Sequence, residues 1–78
     1  MVTFMVMVKQ SKDKIEGLGS HKFLVPPRTG EYITMNDKEG IGQAYRVTAV
    51  IHPLDVSQHA GDLILEHVGT DVDLRMSF

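Results

Sequence analysis

Four histidines, His21, His52, His59 and His67, are the residues best able to do chemistry in this 78-residue chain, with Asp55 and Asp62 nearby in sequence. A zinc site needs three or four converging ligands, often a tight pair plus a distant one. The last three histidines are separated by six and by seven residues, so no close pair exists. The sequence therefore predicts no metal site and no cofactor. GLGSHK, residues 17–22, has the glycines of a phosphate loop but not its G-x-x-x-x-G-K-[ST] spacing, and no helix can follow it because Pro26 intervenes. Ser11, Ser20, Ser57 and Ser77 sit in no nucleophile-elbow pattern. The carboxylates Glu66, Asp71 and Asp73 stand on a segment expected to be solvated. Acid–base catalysis also requires a pocket that excludes water, and a chain this short has little room for one. The expected class is a non-enzymatic binding module.

Length and composition bound that module. The chain makes one domain, residues 1–78, and one this small buries only about 60% of its unfolded surface. It contains no cysteine, which removes disulfides, thiolate zinc sites and thiol nucleophiles together and suits a reducing, cytoplasmic setting. Stability must come from an efficient core or from self-association. No run approaches the ~20 apolar residues of a membrane helix. The opening MVTFMVMV has no basic n-region and no small-residue cleavage site, so it is expected to be mature structure rather than a signal peptide. The net charge of −2 is uneven: residues 1–30 carry five Lys/Arg against two acids, and residues 31–78 carry three against eight. That basic excess is too local for a nonspecific duplex-DNA binder.

The elements that must position any site follow a period of two. Val2, Phe4, Val6 and Val8 share one face of a first strand, and Thr3, Met5 and Met7 share the other. Both faces are apolar, so both should be covered. Residues 9–21 lack periodicity and are expected to form a long loop that either folds back over the methionine face or leaves it to a second copy. Phe23, Leu24 and Val25 form a short strand ended by Pro26. Pro27 suits the first central position of a turn, and Gly30 can take positive φ where the chain re-enters the sheet. Strands are expected over 31–35, with Ile33 and Met35 inward, and over 43–52. In the second of these, Tyr45, Val47, Ala49 and Ile51 face inward, and Ala44, Arg46, Thr48, Val50 and His52 outward. Residues 54–61 form a loop, with a helical turn capped by Asp55. Gly69-Thr70 is a glycine-first pair suited to a type II′ turn. It predicts a closing hairpin with Leu65 opposite Leu74, Glu66 opposite Asp73, and His67 facing inward.

The run PRTGEYITM, a turn, and AYRVTAVIH resemble a pattern recurring in small SH3-like barrels, and in short orphan proteins of bacteria and their phages. The resemblance spans about residues 24–52. It implies a fold, an all-β five- to six-stranded antiparallel barrel or strongly bent sheet, and carries over no catalytic residue.

Three kinds of partner follow. Met5, Met7, Val50 and Ile64 exceed the apolar surface that one small barrel hides, which predicts a homo-oligomer interface or a protein partner, such as a host protein that a phage-type inhibitor would bind. Lys22, Arg28 and Arg46, with Tyr32 as a stacking face and His52 beside them, could instead hold a nucleotide-like anion. Single-stranded nucleic acid is the third class, and the supply of two Tyr, three Phe and no Trp counts against it.

Overall fold

The computed structural model describes residues 1–54 and 60–78. Five strands and one short helix follow in order: β1 (Val2–Ser11), β2 (Lys14–Phe23), β3 (Tyr32–Asn36), β4 (Gly42–Ile51), β5 (Gly61–Thr70) and α1 (Asp71–Met76). The strands make one sheet in the order β2-β1-β5-β4-β3, bent into a half-barrel. The all-β, barrel-like expectation holds. The sheet is mixed, however, because β1 and β5 pair in parallel, Val6 beside Leu63 and Val8 beside Leu65. The predicted Asp55-capped turn lies outside the described residues, as does His59.

The concave face holds the core. Phe4, Val6, Val8, Val47, Leu63 and Leu65 are buried there. Val2, Leu18, Phe23, Ile33, Met35, Tyr45 and Val50 pack around them. Strict alternation in β1 puts Phe4, Val6 and Val8 inside and leaves Met5 and Met7 on the convex face. Phe23 meets Phe4 edge-to-face at a centroid distance of 6.0 Å, the geometry aromatic quadrupoles favour.

Three sequence expectations fail for local reasons. Residues 9–21 are not a loop: β1 turns at Lys12-Asp13 into β2, pairing Phe4 with His21 and Val2 with Phe23. Edge strands tolerate the Lys, Glu, Gly and Ser composition that hides this one from a hydrophobic pattern. The strand ends at Phe23, and Leu24 and Val25 are exposed. In β4 a bulge adds Thr48 between Val47, paired with Leu65, and Ala49, paired with Ile64. The Thr48 hydroxyl donates to the Ile64 carbonyl at 3.0 Å. The extra residue inverts the alternation. Val50, expected outward, packs on the core, whereas Ile51, expected inward, is 51% exposed.

The third failure is the closing hairpin. Residues 71–76 form α1 instead, because Thr70 and Asp73 make a reciprocal capping box. The Thr70 hydroxyl accepts from the Asp73 amide at 3.2 Å, and the Asp73 carboxylate accepts from the Thr70 amide at 3.1 Å. Two orphan donors are satisfied at once, which a strand continuation would not offer. Leu74 therefore never meets Leu65, which pairs with Val47, and Glu66 lies opposite Arg46, with Nη2–Oε2 at 3.7 Å.

The corner between β2 and β3 is a four-residue turn closed by the Glu31 amide on the Arg28 carbonyl at 3.1 Å. Its central pair is Thr29-Gly30, not Pro27 and its neighbour. Gly30, at φ 92°, occupies the third position, where a type II turn requires positive φ. Pro27 is buried. Gly30 and Val47 then tie the corner to β4: the Gly30 amide donates to the Val47 carbonyl, and the Val47 amide to the Glu31 carbonyl, both at 2.8 Å.

Gly61 begins β5 where the backbone of Ile51 leaves no space, since a Cβ there would collide with the Ile51 carbonyl. Gly61→Ala is expected to cost on the order of 2–4 kcal/mol, read as a lower melting temperature. Gly17→Ala, with nothing within 4 Å of the added carbon, serves as the control and should change stability far less. Equal stability of the two variants would contradict the close approach.

Candidate functional site

The five residues expected to hold an anion do not converge. Arg28 and His52 share a groove of about 470 Å³ at one end of the half-barrel, floored by Phe4, Pro27 and Val50. Tyr32 and Arg46 are cross-strand neighbours on the convex face of β3 and β4. Tyr32 stands edge-on to Phe78 at 5.8 Å, and Arg46 is drawn toward Glu66. Lys22 lies opposite Thr3 on β2, three strands away from Arg46 in the sheet order. Among the described residues no group of three His, Asp or Glu could hold a metal ion.

The expected interface residues divide differently. Met5, Met7 and Ile64 come together on the convex face, where Met7 and Ile64 are register partners across the parallel pair. Ala49 and Ile51 join them, because Ala49 pairs with Ile64 beyond the Thr48 bulge. Val50 does not belong to this patch, since the bulge turns it inward. The segment expected to cover the methionines, residues 9–21, lies instead within the plane of the sheet. Among the described residues the convex face receives only α1 and Phe78, both toward the far end. There Asp71 abuts Gly42 and Asp73 abuts Gly69, on the side where Ala44 is buried. Met5, Met7, Ala49 and Ile64 are half-buried there, and Ile51 is exposed.

The sequence gives no hint of a trough along the open side of the half-barrel. β2 and β3 stand at opposite ends of the strand order and do not pair with each other. Between them lies a cavity of about 490 Å³ lined by Glu16, Leu18, His21, Met35, Asp37 and Tyr45, with Lys38 and Glu39 at its lip. A neighbouring cavity of about 520 Å³ shares Glu16, Asp37 and Tyr45 and continues to Lys9, Glu66 and His67. His67 faces this inner side, as expected, but is solvent-exposed at the mouth rather than buried in the core.

Hydrogen bonds fix the trough's polar rim. The Asp37 carboxylate accepts from the Glu39 and Ile41 amides, each at 2.9 Å, and from Gln43 Nε2 at 3.0 Å. His67 Nε2–H donates to Gln43 Oε1 at 2.8 Å, extending the chain. The His67 ring also lies 5.3 Å from that of Tyr45. His21 Nε2–H donates back to the Leu18 carbonyl of its own strand at 2.9 Å. Leu18 is the extra residue of a bulge in β2, between Gly17 and Gly19, and that bulge aims it at the core. Burial pushes the Tyr45 phenol pKa up, and the nearby Glu16 and Asp37 charges push the same way. No periodicity announces these residues, because their grouping depends on how far the sheet bends.

Comparison with protein-family models, with curated proteins and with solved structures returns no match. The trough and the convex patch therefore stand on their chemistry alone. The two differ in chemistry: the patch is mostly apolar, the trough aromatic-floored and acidic.

The Asp37 pKa is lowered from the ordinary aspartate value of 3.8, first by the Ile41 amide. Asp73 is lowered likewise, first by the Thr70 amide. A carboxylate depressed in the folded state contributes stability that is present above its unfolded pKa and lost as pH falls through the folded one. Carboxyl NMR titration is expected to place both midpoints below 3.8, with thermal stability declining in that acid range. Midpoints at or above that value would contradict the turn and cap geometry.

Proposed function

We propose that this protein is a non-enzymatic protein-interaction module that self-associates through the convex face of its sheet. The observation carrying this reading is the largely apolar patch of Met5, Met7, Ile64, Ala49 and Ile51, which has Asp62 set between Met5 and Ile51 and which the neighbouring segment 9–21 does not cover. Methionine conforms to irregular partner surfaces, and apolar area gathered on one face marks an interface.

Area and charge favour a second copy as the occupant. Four ten-residue strands at about 4.8 Å spacing and about 3.3 Å rise give the whole convex face on the order of 600 Å² in projection, part of it under α1. Side-chain relief raises this toward the ~800 Å² per partner of an ordinary interface. Lys9 continues the Met5–Met7 line on β1, and Glu66 continues from Ile64 on β5. A two-fold axis running along the strands between β1 and β5 would set Met7 against the partner's Ile64 and Lys9 against the partner's Glu66. Such self-complementarity is what an isologous dimer needs. A wider role, in occupying a host protein as phage-type SH3-like proteins would, belongs to the same reading and uses the same face.

Light scattering tests it. Wild type is expected to run as a dimer and Met7→Glu as a monomer with an unchanged far-UV spectrum, because a carboxylate buried in the apolar centre has no partner. Lys9→Glu should weaken association about tenfold, and adding Glu66→Lys should restore it. A wild type that stays monomeric at high concentration would overturn the proposal.

A further inference from the structure

We infer that the open seam between β2 and β3 is a second binding surface, which takes an extended basic segment of a protein partner as an added strand. The half-barrel ends on two strands, each with one side lacking a strand neighbour among the described residues. A sheet edge of that kind is a template for an incoming strand, whose main chain supplies affinity while alternate side chains supply specificity.

The seam is also shaped for that occupant. Its floor is apolar and aromatic, formed by Leu18, Met35 and Tyr45, all three packed against the core. The rim of its first cavity carries Glu16, Asp37 and Glu39 against Lys38, and the second adds Lys9 and Glu66, whose charges cancel. An extended strand presents successive side chains to opposite sides. A segment alternating apolar and basic residues would therefore send its apolar side chains down onto Leu18 and Met35. Its lysines or arginines would rise toward the carboxylates. A cation near the mouth would also meet the face of the Tyr45 ring, an attractive pairing where water is partly excluded. The trough runs through two adjoining cavities that share Glu16, Asp37 and Tyr45, which suits a linear ligand better than a compact one.

Charge selects among the alternatives. Nucleic acid and free phosphates would be repelled by this rim. The chain itself avoids pairing at the β2 edge through two features that belong to managed edges: the Leu18 bulge and the fold-back of His21 onto the Leu18 carbonyl. Docking requires the His21 ring to swing off that carbonyl, so the His21 ring signals should move with the strand amides.

The test uses the full chain, labelled for amide NMR, with a short monomeric peptide alternating Val and Lys and a control alternating Val and Glu. The basic peptide is expected to shift amides over 14–23 and 32–36 together with the His21 ring, and to lose affinity as salt rises. The acidic control should not bind. In Glu16→Lys combined with Glu39→Lys, both at exposed positions, the preference should reverse by about tenfold or more, with core amide signals unchanged. Met7→Glu should bind the basic peptide as wild type does, which separates this surface from the convex one. Equal binding of both peptides, binding of neither, or shifts confined to the Met5–Met7 face would each overturn the inference. So would β2-edge amides that shift with protein concentration alone, since the occupant would then be a second copy.

Discussion

The parallel pairing of β1 with β5 is the contact on which the rest of the molecule depends. It joins the first strand to the last across more than fifty intervening residues, setting Val6 beside Leu63 and Val8 beside Leu65. Five of the six core side chains come from these two strands, and the sixth, Val47, is the register partner of Leu65. Parallel pairs cannot be closed by a tight hairpin, so every intervening element must be built outward from this seam. The β1–β2 hairpin grows on one side and the β4–β3 hairpin on the other. Closing so long a loop costs entropy before any contact offsets it, and the burial of Phe4, Leu63 and Leu65 is what offsets it here.

Bulges then decide what each face presents. Thr48 in β4 and Leu18 in β2 are each one residue more than the opposing strand supplies. The first turns Val50 into the core and Ile51 to solvent, and its hydroxyl satisfies the Ile64 carbonyl. The second aims a leucine at the open side of the half-barrel. Both also increase local twist and curvature, so they help produce the bend that separates a concave core from a convex apolar patch. The same irregularities therefore create the fold's interior and its two candidate contact surfaces.

Those surfaces differ in chemistry as well as place. The convex patch is mostly apolar, with Lys9 and Glu66 at its margin and Asp62 between Met5 and Ile51. The seam is acidic, with an aromatic floor and strand edges alongside it, which offers directional hydrogen bonds instead of area. α1 and Phe78 restrict the first by covering the Ala44 end, and the Arg28–Glu31 corner closes the core's other end with Pro27. What remains accessible is what the chain did not use to seal itself.

Much of the fold was legible in the residues alone. The alternation Phe4-Val6-Val8, the strand after Gly30 and the strand carrying Tyr45 and Val47 follow from period-two patterning and the conformational freedom of glycine. The capping box at Thr70 and Asp73 was also written in the sequence, but Gly69-Thr70 carries an equally good hairpin signal. Choosing between them required knowing that Leu65 already had Val47 as its neighbour. Tertiary structure alone decided three things: that the Lys- and Gly-rich stretch 14–23 is a strand, that Thr48 reverses the facing of Val50 and Ile51, and that Glu16, Asp37 and Tyr45 meet. Each depends on which strand lies next to which, a long-range outcome of cooperative packing. Local periodicity reports only the direction of a side chain relative to its neighbours in the chain, so it could name the oily residues but not the surface each would share.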